Sequence, residues 1–129
     1  MPKAPVVLVV DDEDAVRRYV SAALTQFGYR TVDAANGINA LELAESEPVD
    51  LLLTDLMMPG MRGDELARLM FDRQRTLKVV YLTGFTERLY DMRPSLWDHE
   101  TVLEKPVTLA QLHDAVSIAL FGHRGGIVD

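Results

Sequence analysis

The sequence contains no cysteine, which excludes disulfides, thiolate-bound zinc and thiol catalysis. It also has no apolar run longer than a strand, whereas a membrane-spanning helix needs about 20 apolar residues, and it begins without a signal-peptide pattern. Basic residues are outnumbered, with 13 Lys and Arg against 20 Asp and Glu, so the net charge is −7 and there is no basic excess for a nucleic acid. We therefore expect a cytoplasmic protein with no membrane and no nucleic-acid partner, acidic enough to bind a divalent cation.

The apolar residues that are present follow two alternating patterns. Residues 6–10, VVLVV, form a continuous β-branched run, which predicts a strand buried on both faces. Apolar residues then recur at spacings of three and four, as in an amphipathic helix. The two patterns alternate along the chain. They predict strands at 6–10, 29–34, 49–55, 77–84 and 101–106, and helices at 13–27, 36–47, 65–73 and 108–120. Thr108 can cap the last of these helices.

Five strand–helix units predict one α/β domain with a parallel sheet and helices on both faces. The length of 129 residues fits a single domain. We assign residues 1–121 to this domain and expect 122–129 to be a disordered tail. In such sheets the ligand site lies beyond the carboxyl ends of the strands, where the strand order reverses.

Polar residues stand at four of the predicted strand ends. Asp11 and Asp12 follow the first strand, Asp55 ends the third, Thr83 lies near the end of the fourth, and Lys105 lies near the end of the fifth. Clustered carboxylates repel one another unless a cation lies among them, and their hard oxygens suit Mg²⁺. A lysine and a hydroxyl can both bind phosphoryl oxygens. A carboxylate that accepts a phosphoryl group needs such surroundings, so Asp55 is the candidate nucleophile.

Each of these residues also has a purely structural interpretation. Asp11 and Asp12 could cap the helix that follows them. Asp55 could be a structural partner of Lys105, and Thr83 a turn hydroxyl. The convergence of all five at one edge of the sheet favours the chemical interpretation.

Four motifs then give the chain a resemblance to bacterial response-regulator receiver domains, over about residues 6–120. They are VLVVDDED, LLLTDLMMPGMRGDEL, VVYLTGF and VLEKPVTLAQL. The resemblance implies a flavodoxin-like fold with strand order 2-1-3-4-5, and transfer of phosphate to Asp55 from a histidine kinase or a histidine phosphotransfer protein. It implies Mg²⁺ bound by Asp12, Asp55 and the backbone carbonyl of Met57, with Asp11 acting through water. It also implies a cis Lys105–Pro106 bond.

The sequence departs from the receiver pattern near its fifth strand. Val102 stands where receivers commonly carry Tyr or Phe, and Glu100-Thr101 replaces a pair that is often Gly-Ala. Pro94 interrupts the helix that receivers carry before this strand, so that helix is expected to be short or displaced. Val102 and Pro94 leave open a degenerate receiver that binds a partner without phosphate. An aspartyl-phosphate hydrolase would usually carry a second acidic residue where Met57 stands.

We therefore expect a phosphoacceptor module of a two-component phosphorelay, not an enzyme, although it promotes its own phosphorylation and dephosphorylation. It would be either a single-domain regulator or the receiver of a hybrid histidine kinase. A homodimer would use the face formed by the helix before the fifth strand, that strand and the last helix.

Overall fold

The computed structural model describes residues 3–84 and 97–122. The predicted helix around Pro94 and the tail from residue 123 lie outside the described residues. Within them, the structure has five strands and four helices in alternation. They are β1 (Val6–Val10), α1 (Asp14–Gln26), β2 (Arg30–Ala34), α2 (Gly37–Ser46), β3 (Leu51–Asp55), α3 (Gly63–Arg73), β4 (Lys78–Thr83), β5 (Glu100–Glu104) and α4 (Leu109–Phe121).

The five strands form one parallel sheet in the order β2-β1-β3-β4-β5, which confirms the predicted order. β1 and β3 lie in the interior of the sheet and are buried at every position, as the apolar runs at residues 6–10 and 51–53 predict. β2 lies at an edge and is partly exposed. The order reverses between β1 and β3, so a ligand site is expected at their carboxyl ends.

Helices cover both faces of the sheet and create two apolar layers. Because successive side chains of a strand point to opposite faces, Leu8 and Leu52 pack toward α2 and α3. Val9 and Leu53 pack toward α1 and α4 on the other face. None of the helices within the described ranges has the length and apolar character needed to cross a membrane.

Local sequence signals set the start of the last helix. The Thr108 hydroxyl accepts a hydrogen bond from the Gln111 backbone at 3.1 Å, and the Gln111 side chain accepts one from the Thr108 backbone at 3.0 Å. This reciprocal capping box satisfies two backbone N–H groups that a helix start otherwise leaves unpaired. It confirms the predicted cap at Thr108 and fixes the chain just after Lys105.

A glycine allows α3 to begin against the end of β3. The Gly63 N–H donates to the Leu56 carbonyl at 2.9 Å. A Cβ at Gly63 would overlap the carbonyl oxygen of Asp55 and would lie 3.0 Å from the Asp55 carbonyl carbon. Only glycine permits this approach, so the start of α3 holds the backbone of Asp55 in place.

Two residues of β5 that depart from the receiver pattern, Glu100 and Val102, lie next to Tyr81 of β4. Val102 lies opposite Tyr81 in the sheet and packs against the apolar layer that contains α2 and α3. The buried Tyr81 hydroxyl donates to Glu100 Oε2 at 2.7 Å, and Glu100 Oε1 accepts from the Trp97 backbone at 3.1 Å. Position 102 therefore has no aromatic ring, but the adjacent strand carries one, that of Tyr81.

Candidate functional site

The strand ends bring the predicted polar residues together at one edge of the sheet. A cavity of about 300 Å³ opens there. Its walls include Asp55 at the end of β3, Thr83 at the end of β4 and Lys105 just after β5. The described residues that line it are Asp12, Glu13, Asp55, Met57, Thr83, Gly84 and Lys105. Asp11 reaches the same group through its ion pair with Lys105.

Three carboxylates form a cluster at the inner side of this cavity. Oxygen atoms of Asp11, Asp12 and Asp55 lie within 4.8 Å of one another, close enough to bind one cation. Asp11 is 2% exposed and Asp55 6% exposed, whereas Asp12 is open to solvent. Hard oxygen ligands with one side open to water fit a divalent cation that retains part of its hydration shell.

Burial makes the charged forms of two of these carboxylates costly. Burial raises the pKa of Asp11, although the Glu13 backbone N–H and the Lys105 ammonium oppose the shift. Burial also raises the pKa of Asp55, opposed by Lys105 and reinforced by the nearby negative charge of Asp11. Additional positive charge at this point would therefore stabilise the ionised site.

The Lys105 ammonium lies among three carboxylates. Its Nζ is 3.1 Å from Glu13 Oε1, 3.2 Å from Asp11 Oδ2 and 3.4 Å from Asp55 Oδ2. The Asp11 contact is an ion pair without hydrogen-bond alignment. Burial alone would lower the pKa of Lys105, but the attraction of Asp11 and Asp55 outweighs it and the pKa is raised. The lysine therefore remains protonated at neutral pH.

Backbone contacts hold Lys105 and Thr83 in register. The Lys105 N–H donates to the Thr83 carbonyl at 2.9 Å, which extends the pairing of β4 and β5 by one residue. The Thr83 side chain is almost fully buried at the cavity wall. The Lys105–Pro106 bond is cis, as predicted.

Asp11 makes a contact at the start of a helix and also belongs to the carboxylate cluster, the two positions that the sequence left as alternatives. Its Oδ1 accepts from the Glu13 N–H at 2.9 Å, at the start of α1. Its Oδ2 faces Lys105. Its backbone carbonyl accepts from Arg17 Nη1 at 2.7 Å. Helix-start contacts therefore orient Asp11 toward the cluster, and its part in binding a metal stays a prediction.

Sequence reasoning missed the role of Glu13. The helical pattern places this residue only at the start of the first helix, yet among the carboxylates of the described residues its side chain lies nearest the Lys105 ammonium, and it lines the cavity. The available signal was the uninterrupted acidic run of residues 11–14, in which Glu13 directly follows the two aspartates.

Comparison with known proteins agrees with this geometry. The family model described as response regulator receiver domain matches residues 7–117. The chain therefore belongs to the response-regulator receiver domain family, whose members act as phosphoacceptors in signalling and interact with histidine kinases or phosphotransfer proteins.

Three curated relatives illustrate the similarity. The response regulator receiver protein CpdR of Brucella abortus is 36% identical over 106 residues, which is 82% of this chain and 88% of CpdR. Sporulation initiation phosphotransferase F of Bacillus subtilis is 31% identical over 110 residues, covering 85% of this chain and 89% of that protein. The autoinducer 1 sensor kinase/phosphatase LuxN of Vibrio harveyi is 38% identical over 111 residues, or 85% of this chain, but the match spans only 13% of LuxN.

Solved structures show the same fold. The receiver domain of the hybrid histidine kinase CckA superposes with a TM-score of 0.76 at 32% identity, covering 89% of this chain and 98% of that one. The response regulator TrrA of Thermotoga maritima, in complex with Mg²⁺-BeF, gives a TM-score of 0.80 at 30% identity, covering 90% and 99%.

Proposed function

We propose that Asp55 is the residue of this phosphoacceptor module that receives the phosphoryl group. The observation that carries the proposal is the position of Asp55, which lines the open cavity together with Thr83 and lies 3.4 Å from the Lys105 ammonium. Asp11 is equally buried, but it is not among the residues that line the cavity, and its Oδ1 accepts a hydrogen bond at the start of α1. Asp55 is therefore the better placed nucleophile.

The arrangement supports transfer of the phosphoryl group from a phosphohistidine. A carboxylate oxygen of Asp55 forms a bond to phosphorus while the phosphorus–nitrogen bond of the donor breaks. The electron pair of that bond stays on the imidazole nitrogen, which takes up a proton. Lys105 neutralises charge on the phosphoryl oxygens, and the Thr83 hydroxyl donates to one of them. The protein contributes positioning and fixed charge, which dominate catalysis of phosphoryl transfer.

The acidic cluster would hold the cofactor, which we take to be Mg²⁺. Asp12 and Asp55 would bind it directly, with the backbone carbonyl of Met57, and Asp11 would act through a water molecule. Their hard oxygen atoms fit this ion, and the similar TrrA was solved with Mg²⁺-BeF. When bound, the ion adds positive charge beside the phosphoryl oxygens.

The phosphoryl donor would be a histidine kinase or a histidine phosphotransfer protein in the cytoplasm. Residues 1–121 would form the receiver, which would also promote loss of its own phosphoryl group. A homodimer would use the face that contains β5 and α4. A phosphate-dependent receiver is supported over a degenerate one by the presence of all five polar residues: Asp11, Asp12, Asp55, Thr83 and Lys105.

Intact-protein mass spectrometry tests the assignment. The protein is incubated with acetyl phosphate and Mg²⁺ as wild type, Asp55→Asn and Asp72→Asn, the last being an exposed aspartate on α3. One phosphoryl mass is expected on the wild type and on Asp72→Asn, and none on Asp55→Asn. An undiminished adduct on Asp55→Asn would place the phosphoryl group on another residue.

A further inference from the structure

Glu13 contacts the cluster from its solvent side. Its Oε1 lies 3.1 Å from Lys105 Nζ, the shortest of the three contacts that this ammonium makes with carboxylates of the described residues. Its side chain is 63% exposed, whereas those of Asp11 and Asp55 are 2% and 9% exposed. Glu13 is therefore the outermost partner of the lysine.

The three carboxylates differ in how readily they can release Lys105. A buried carboxylate that lost its cation would remain charged and poorly solvated, which is costly. Asp11 is also fixed by the Glu13 backbone N–H. An exposed carboxylate can exchange a lysine for water at little cost, because such ion pairs contribute little net free energy. Of the three carboxylates, Glu13 is therefore the one that can separate from Lys105.

We propose that Glu13 is a positioning residue that competes with the incoming phosphoryl group for Lys105 and so slows phosphorylation of Asp55. This inference rests on the proposed function of Asp55. In the unphosphorylated protein Glu13 engages the ammonium at the rim of the cavity. When Lys105 turns to bind a phosphoryl oxygen on Asp55, Glu13 is the partner that gives up its contact.

Glu13 has a second effect through its charge. It lines the same cavity as Asp55 and Thr83, so a negatively charged donor must approach past its carboxylate. Repulsion between like charges grows with the charge of the donor and is screened by salt. Dianionic acetyl phosphate should therefore be hindered more than phosphoramidate, which carries a single net negative charge.

The test measures the initial rate of Asp55 phosphorylation in Glu13→Gln, which keeps the shape and removes the charge. With acetyl phosphate, Asp55 bonds to phosphorus and the bond from phosphorus to the acetyl oxygen breaks, releasing acetate with the electron pair. With phosphoramidate, the phosphorus–nitrogen bond breaks and ammonia leaves. Both reactions are followed by intact mass with Mg²⁺ present, at low and at high ionic strength.

Glu13→Gln should be phosphorylated by acetyl phosphate about two- to fivefold faster than the wild type at low ionic strength, the size expected for one exposed charge pair. The increase should be smaller with phosphoramidate and should shrink at high salt. Glu13→Asp keeps the charge at the rim and should remain closer to the wild type than Glu13→Gln. Glu45→Gln removes an exposed charge from α2, away from the cavity, and should match the wild type.

Two results would overturn the inference while leaving Asp55 as the acceptor. One is an Asp55 adduct that forms at the same rate or more slowly in Glu13→Gln. The other is an equal acceleration in Glu45→Gln, which would show an effect of net charge alone. A wild type that takes up no phosphoryl group at Asp55 with either donor would instead refute the proposed function, and this inference with it.

Discussion

Replacing Gly63 by alanine should damage both the fold and the site, because α3 begins directly against the backbone of Asp55. The added Cβ would overlap the Asp55 carbonyl oxygen and would lie 3.0 Å from both the Asp55 carbonyl carbon and the Leu56 Cα. Carbon atoms in contact normally lie about 3.5–4.0 Å apart. All three neighbours are backbone atoms, so no side-chain rotation can relieve the overlap.

The cost follows from the movement that this overlap requires. Forcing extra atoms into a packed interior usually costs about 1–3 kcal/mol, and a rigid backbone neighbour places Gly63→Ala at the upper end. For a domain of this size we expect a fall in melting temperature of roughly 6–12 °C. Because α3 must move away from β3, the Asp55 carboxylate should also shift relative to Lys105.

Urea unfolding and phosphorylation by acetyl phosphate measure the two effects. The matched control for stability is Gly84→Ala, since no heavy atom of the described residues lies within 4 Å of a Cβ at Gly84. This control should unfold within about 0.5 kcal/mol of the wild type. Gly63→Ala should be less stable and should be phosphorylated more slowly under conditions where it remains folded. If Gly63→Ala were as stable as Gly84→Ala, the close approach of α3 to Asp55 would be wrong.

Two further predictions concern the carboxylates. Asp12→Ala should weaken Mg²⁺ binding measured by calorimetry, because Asp12 belongs to the carboxylate cluster. Because Asp12 is exposed, the free energy of unfolding of the variant should stay within about 0.5 kcal/mol of the wild type. Unchanged Mg²⁺ affinity would exclude Asp12 as a ligand. Asp55→Asn should make the metal-free protein more stable at neutral pH, because burial raises the pKa of Asp55 in the folded state and its charged form disfavours folding. That gain in stability should diminish as the pH falls through the raised pKa toward the ordinary value of 3.8, because Asp55 then becomes protonated in both the folded and the unfolded state. Urea unfolding with a chelator, from neutral to acidic pH, measures the gain. A gain that grew on acidification would contradict the direction of the pKa shift.

Patterns that depend on neighbours along the chain were sufficient to predict the sheet and one helix start. β1 and β3, with their apolar runs at residues 6–10 and 51–53, are buried throughout, and the partly alternating β2 lies at the edge. The cap at Thr108 was readable because it joins residues only three apart. The convergence of Asp55, Thr83 and Lys105 followed from the fact that parallel strands present their carboxyl ends on one side.

Contacts between distant residues could not be predicted in the same way. The Glu13–Lys105 ion pair depends on how far two long side chains reach across the ends of β1 and β5, and strand order does not determine that. Gly63 gave no sign of its closeness to Asp55, because glycine is also common in ordinary turns. α3 accordingly begins at Gly63, two residues before the predicted start at Glu65.

The bond between Tyr81 and Glu100 has a consequence for the assembly of the sheet. A shift of β5 by one residue along β4 would turn its side chains to the opposite face. A shift by two would restore the faces but would separate Glu100 from the Tyr81 hydroxyl and lose this buried hydrogen bond. The bond between Tyr81 and Glu100 thus favours the native register of β5, which is the register that places Lys105 beside Asp55.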